Sequence, residues 1–241
     1  MAVLLTIFDT ETTGVHPEKG DDVIQLASLI QHEDDFHVDS FVSLANPGKP
    51  IPVEASAVHG LYDHHIADAP PTREVVRDWW DAVLRTVQER KAELIVCGHN
   101  VQFDLRMIRK HVDLPSDLHV IDTLQLAHRV EPLMPSYKLT ELYKKRRTGD
   151  VDYSENAHDA LADVWMCREI LISYLAELKC SLKKLAEDLR KPKILEFNPV
   201  GGRKLAGRRF KEMDKGALRW MRSNMTLSPD ILASIDDALA S

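Results

Sequence analysis

Two carboxylates one residue apart, Asp9 and Glu11, close an apolar run in the stretch "IFDTETTG" (7–14). Residues i and i+2 of a strand share a face, so both acids project together from the strand end. Like charges held that close resist joint ionisation, and a divalent cation relieves the repulsion. An all-oxygen donor set favours Mg²⁺ or Mn²⁺ over zinc. The following Thr12, Thr13 and Gly14 predict a tight turn whose backbone N–H groups face an anion. Taken alone, such a pair is more often two solvated acids at a strand end. Phosphate chemistry therefore requires further carboxylates from elsewhere in the chain.

Two stretches offer them. "GHNVQFDLRMI" (98–108) follows a predicted strand and places Asp104 in the first turn of a helix, with Asn100 a candidate N-cap. An acid at that position is also favoured by helix electrostatics alone. "NAHDALADV" (156–164) supplies His158, Asp159 and Asp163. At 100° per residue, Asp159 and Asp163 fall on roughly one helical face, whereas His158 and Asp163 would stand about 140° apart. Spacing alone thus leaves Asp159 as ligand or as N-cap, with His158 in the preceding loop, free to reach over the site.

The elements that must position these residues are legible in outline. Residues 2–8 read as a central strand, followed by strands at 23–30 and 36–44 around an acidic turn "HEDD", together an antiparallel meander. Helical spacing marks 72–91, with Thr72 as N-cap. Strands at 93–98 and 119–122 alternate with helices at 102–111 and 123–130. A further helix ends in "YKKRR" (143–147), and a long one spans 159–178. A short helix at 181–191 and two more at 214–224 and 228–240 follow a Gly-, Arg- and Lys-rich loop. Strands first, then strand–helix alternation, predict a mixed sheet flanked by helices.

Composition fits this outline. The chain has 241 residues, 44% hydrophobic and 29% charged, and three widely spaced cysteines. These disfavour a disulfide framework or a cysteine zinc site. "MAVLLTIF" is too short for a membrane span, so a cytoplasmic protein without membrane contact is expected. The net charge of −7 conceals a split: residues 179–241 hold 14 Lys and Arg against 8 Asp and Glu, and the preceding 178 residues hold 17 against 30. An acidic body with a basic tail suggests two modules. Trp79–Trp80 are expected mostly in the core, and Trp220 in the core of the small tail module.

"FDTETTG", "NVQFD" and "HDALAD" resemble, in order, the three exonuclease motifs of the DEDD superfamily, in the subgroup with histidine in the third motif (DEDDh). Its H-x-A-x-x-D pattern is met by His158, Ala160 and Asp163. The resemblance implies an RNase H-like fold and two bound ions, Mg²⁺ or Mn²⁺, held by Asp9, Glu11, Asp104 and Asp163. It makes His158 the general base and leaves Asp159 as cap or bystander. "IPVEASAVHGL" (51–61) is similar to a segment of proofreading subunits and related exonucleases in which a histidine approaches the terminal nucleotide, nominating His59. The alternative for His59 is a helix-end residue before a C-cap Gly60. Thr12, Thr13, Gly14, Asn100 and Phe103 complete the expected substrate contacts, Phe103 and Leu105 being placed to wedge or stack terminal bases.

"SYKLTELYKKR" and "GALRWMRSN" are similar to exodeoxyribonuclease X-like proteins, which carry a small C-terminal module. The tail departs from their F-G-K-aromatic-basic-G stretch, with "FNPVGGRKLAGRRF" (197–210) in its place. The implied organisation is a nuclease domain at 1–178 and a module at 179–241. The implied activity is 3′–5′ hydrolysis of DNA, at single-stranded 3′ ends, to nucleoside 5′-monophosphates. "YKKRR" and "GRKLAGRRFK" (202–211) are expected to track the polymer backbone. The competing readings are an RNA-trimming exonuclease of the same superfamily and a non-catalytic nucleic-acid-binding protein. Catalytic residues do not separate DNA from RNA, a choice made by how the pocket treats the 2′-OH.

Overall fold

The computed structural model describes residues 2–32 and 38–241, with Arg203 at the level of its backbone. Most of the expected acidic turn and the start of the strand after it lie outside the described residues. Five strands form one sheet: β1 (Val3–Thr12), β2 (Val23–His32), β3 (Val38–Leu44), β4 (Glu93–Gly98) and β5 (His119–Asp122). Their order is β3-β2-β1-β4-β5. β1, β2 and β3 pair antiparallel as the expected meander, while β4 and β5 run parallel to β1. The parallel strands therefore end together, and chemistry gathers at that end.

Small helices α1 (Val53–His59) and α2 (Asp63–Ile66) lead into α3 (Thr72–Arg90). Next come α4 (Gln102–Ile108), α5 (Thr123–Val130), α6 (Leu139–Arg146) and α7 (Ala160–Leu178). The chain closes with α8 (Leu182–Arg190), α9 (Gly202–Leu205), α10 (Lys215–Asn224) and α11 (Pro229–Ala240). Thr72 is not the expected cap. It is the first helical residue of α3, after Pro71, and its hydroxyl donates to the Val23 carbonyl at 2.8 Å.

Strand alternation sorts side chains into two layers. Val3, Leu5 and Ile7 join a core with α5, α6, α7 and α8, while Leu4 and Phe8 join one with α3 and α4. Each fully buried large apolar side chain contributes about 1.5–3 kcal/mol. Trp79 and Trp80 are both buried, Trp79 donating its indole N–H to Ser28 Oγ at 2.8 Å. α8 belongs to the first core through Leu182, Leu185, Ala186 and Leu189. A separate cluster forms only beyond it, from Leu195, Phe210, Leu218, Met221, Ile231 and Ile235.

Candidate active site

The alternation that puts Val3, Leu5 and Ile7 against α7 carries on to Asp9 and Glu11, so both acids point toward the first turn of that helix. There Asp163 waits. One ligand atom each from Glu11, His158 and Asp163 lie within 4.8 Å of one another. Asp104 arrives from the other layer: it is buried in the first turn of α4, and the backbone N–H and hydroxyl of Thr10 donate to its Oδ1 at 3.1 and 2.6 Å. Thr10 thereby ties the two layers together directly beneath the acidic pair.

His158 stands just before α7 with φ of 69°, a left-handed conformation uncommon for a residue with a side chain. In it the His158 backbone N–H donates to Asp163 Oδ1 at 3.2 Å while the exposed imidazole stays beside the carboxylates. The ambiguity over Asp159 is resolved by its hydrogen bonds. Its Oδ1 accepts from the N–H groups of Leu161 and Ala162, making it the N-cap of α7. Gln25 of β2 braces this turn, its Oε1 accepting from Ala160 N–H at 3.2 Å.

Electrostatically the cluster is uncompensated. Burial, then Asp104, Asp163 and Glu11, push Asp9 well above the ordinary carboxylate range. Burial and Asp163 lift Glu11 to about 8, and burial lifts Asp163 to about 6. Burial also lifts Asp104 to about 7 despite the opposing Thr10 hydrogen bonds. Among the described residues, no Lys or Arg pairs with any of the four. Hard oxygen donors converging without a protein cation are what a divalent metal ion fits.

The profile of the exonuclease family (RNase T type) matches residues 6–171. The chain belongs to the exonuclease family. It is 33% identical over 178 residues to a DNA polymerase III subunit epsilon-like protein of Rhodobacter capsulatus, a stretch covering 72% of this chain and 24% of that protein. Identity to exodeoxyribonuclease 10 of Escherichia coli is 26% over 233 residues, covering 95% of both chains. In structure it is similar to exonuclease X in complex with 5′ overhanging duplex DNA, with a TM-score of 0.56, 26% identity, and coverage of 76% of this chain and 98% of that one. The fold is thus RNase H-like.

Around this exonuclease centre the expected substrate residues divide. His59 is at the end of α1, before Gly60, whose φ of 71° closes the helix. Its Nδ1 accepts from Leu61 N–H at 3.0 Å, which leaves the ring proton on Nε2. That Nε2 is buried and turned toward the Thr12 backbone, and burial, with His158 nearby, lowers the ring's pKa against the opposing Thr12 contact. Helix-end residue and site neighbour are therefore both true of His59. The turn after β1 is not an open anion nest. Thr13 N–H donates to the Asp22 carbonyl, and Thr12 Oγ1 donates to the Gly14 carbonyl. A Cβ on Gly14 would lie 2.4 Å from an Asp21 carboxylate oxygen, so a larger residue there would displace the Asp21 side chain.

Asn100 is exposed in a left-handed conformation and does not cap α4, where Val101 holds that place. Phe103 is partly buried against the α3–α4 core. Leu105 is fully buried, so it cannot wedge bases: one helical step past Asp104 points inward. "YKKRR" does not present free charge either. Lys144 pairs with Glu141, Lys145 and Arg146 with Glu131, and Arg147 with Asp152.

Sequence reasoning missed Asp122. It caps α5, accepting from Leu124 and Gln125 N–H, and also accepts Asn100 N–H at 2.9 Å. Burial lifts it to about 6. The signal was available as an acid directly before a helix-initiating threonine. Thr10 was also missed, although a threonine between two acids on the opposite strand face announces a polar contact there.

Proposed function

We propose that this exonuclease removes nucleotides one at a time from the 3′ end of DNA, single-stranded ends foremost, releasing nucleoside 5′-monophosphates. The observation that carries the proposal is the convergence of Glu11, His158 and Asp163 within 4.8 Å, beside Asp9 and Asp104. The near full-length likeness to exodeoxyribonuclease 10 supports DNA as the polymer. Asp9, Glu11 and Asp163 would hold one Mg²⁺ or Mn²⁺ ion, and Asp9 with Asp104 a second. Such ions supply charge stabilisation to the attacking and leaving oxygens of an in-line displacement.

The chain's own residues do the rest. His158 takes a proton from the attacking water on a ring nitrogen, and its exposure lets that proton pass on to solvent. The P–O3′ bond breaks, leaving the phosphate on the departing nucleotide and a 3′-hydroxyl on the shortened strand. His59, set beside Thr12 and His158, approaches the terminal nucleotide. Thr10 holds Asp104, and Asp122 holds the Asn100 turn.

The same proposal includes two units, a nuclease unit through α8 and a small basic unit from Leu195, joined at 191–194 one helix beyond the boundary expected at Leu178. No helix among the described residues is long and apolar enough to cross a membrane, and a cytoplasmic location is part of the proposal.

The test is Mg²⁺-dependent degradation of 5′- and 3′-labelled single-stranded DNA and RNA. Stepwise shortening of DNA from the 3′ end, lost in Asp9→Ala and His158→Ala, is expected. Preferential degradation of RNA would overturn the choice of polymer, and intact DNA with wild type would overturn the enzyme.

A further inference from the structure

Trp220 is not in the core of the tail. It is 55% exposed, whereas Trp79 and Trp80 are 1% and 4% exposed. α10 buries Leu218 and Met221 against α11 and turns Lys215, Gly216, Arg219, Trp220, Ser223 and Asn224 to solvent. Gly216 and Ser223, the indole's neighbours at i−4 and i+3, are too small to shield it.

Several neighbouring cations of the tail are already paired. Arg222 on the same helix pairs with Asp236, Arg209 with Glu196 and Glu212, and Lys211 with Asp237. Lys215 and Arg219 have no carboxylate partner among the described residues. An exposed indole flanked by uncompensated positive charge is complementary to a polyanion that carries unpaired rings.

The face is also held in place. Asp230, in the first turn of α11, is fully buried and takes Arg129 Nε and Nη2 at 2.6 and 2.8 Å. Arg129 donates as well to the carbonyls of Asp188 and Lys191. One guanidinium thus joins α5, the end of α8 and the first turn of α11, the helix against which α10 packs.

We propose that the exposed face of α10 is a second contact for single-stranded DNA, with Trp220 stacking on an unpaired base and Lys215 and Arg219 meeting the flanking phosphates. The proposal rests on the assignment of DNA as the polymer and adds where its upstream part is held.

The experiment uses full-length Asp9→Ala protein, which cannot degrade the probe, titrated with dT20 and dT2 while tryptophan emission is followed. dT20 quenches emission, and Trp220→Ala in that background abolishes the quenching and weakens dT20 binding about 5- to 150-fold, the range for one stacked base. Lys215→Glu with Arg219→Glu weakens binding and flattens its salt dependence. In the otherwise wild-type enzyme, Trp220→Ala lowers the ratio of kcat/KM for dT20 over dT2.

Unchanged quenching and affinity for dT20 in Trp220→Ala would overturn the proposal. So would an equal loss of kcat/KM on both lengths, or concentration-dependent self-association that the substitution removes. If wild type cleaves neither probe yet dT20 binding still depends on Trp220, the nuclease assignment falls and this contact stands.

Discussion

Two sets of buried carboxylates sit in this molecule under opposite electrostatic terms. Asp9, Glu11, Asp104 and Asp163 crowd together with no protein cation, and their proton affinities are driven up. Glu131 and Asp230 are as deeply buried, yet each is saturated. Glu131 receives Lys145, Arg146 Nε at 2.5 Å and the Tyr174 hydroxyl at 2.9 Å. Asp230 receives Arg129 and the Lys193 N–H. The difference separates scaffold from site. A carboxylate supplied with partners locks elements together, whereas one left wanting charge reserves its oxygens for something that arrives later.

The largest effect expected from this contrast is on catalysis. Under the proposed function Glu11→Gln removes a metal ligand, so steady-state DNA hydrolysis falls about 1,000-fold or more. In metal-free protein the same substitution removes a repelling charge, and the melting temperature at pH 8 rises. A lowered melting temperature would place Glu11 with the scaffold acids.

Next in size is Arg129→Ala, which strands Asp230 in the interior and costs about 3–5 kcal/mol in denaturant unfolding. Arg129→Met combined with Asp230→Leu recovers most of that loss. If the single substitution proves silent, the clamp between body and tail is not a buried ion pair of consequence.

The pH dependence of the metal-free fold tests the same contrast without a substitution. Glu11 at about 8, Asp104 at about 7 and Asp163 at about 6 bind protons more tightly folded than in the unfolded chain, where carboxyls titrate near 4. The folded state therefore holds more protons, and these groups' contribution to stability declines as pH rises through the folded values. In EDTA, thermal unfolding should come earlier at pH 8 than at pH 5.5. Saturating Mg²⁺ should restore stability at pH 8, because it binds the folded state. Glu11→Gln should flatten the slope, and an unchanged slope would detach it from the cluster.

Much of the fold was legible because strands and helices announce themselves by period. The meander, both parallel strands and α7 were predictable from apolar spacing alone. Asp9 and Glu11 were bound to share a face, since alternation is a local rule. Legibility stopped where a choice depended on what lies across space. Asp159 and Asp163 occupy the same helical face, and only the start of α7 at Ala160 made one a cap and left the other beside Glu11. Leu105 and Phe103 are neighbours in sequence, yet the packing of α4 buries one completely and the other in part.

By itself, then, the sequence determined the chemistry available: four acids and a histidine in three motifs, and a basic tail with a tryptophan. Tertiary structure alone decided how those groups are compensated. "YKKRR" spends its charge on Glu131, Glu141, Glu177 and Asp152, while Lys215 and Arg219 keep theirs. Trp220 was left in water because α11 packs against Leu218 and Met221. The reason is physical: spacing along a chain states which residues share a face, but only the packed neighbour determines whether that face meets an opposite charge, an apolar surface or solvent.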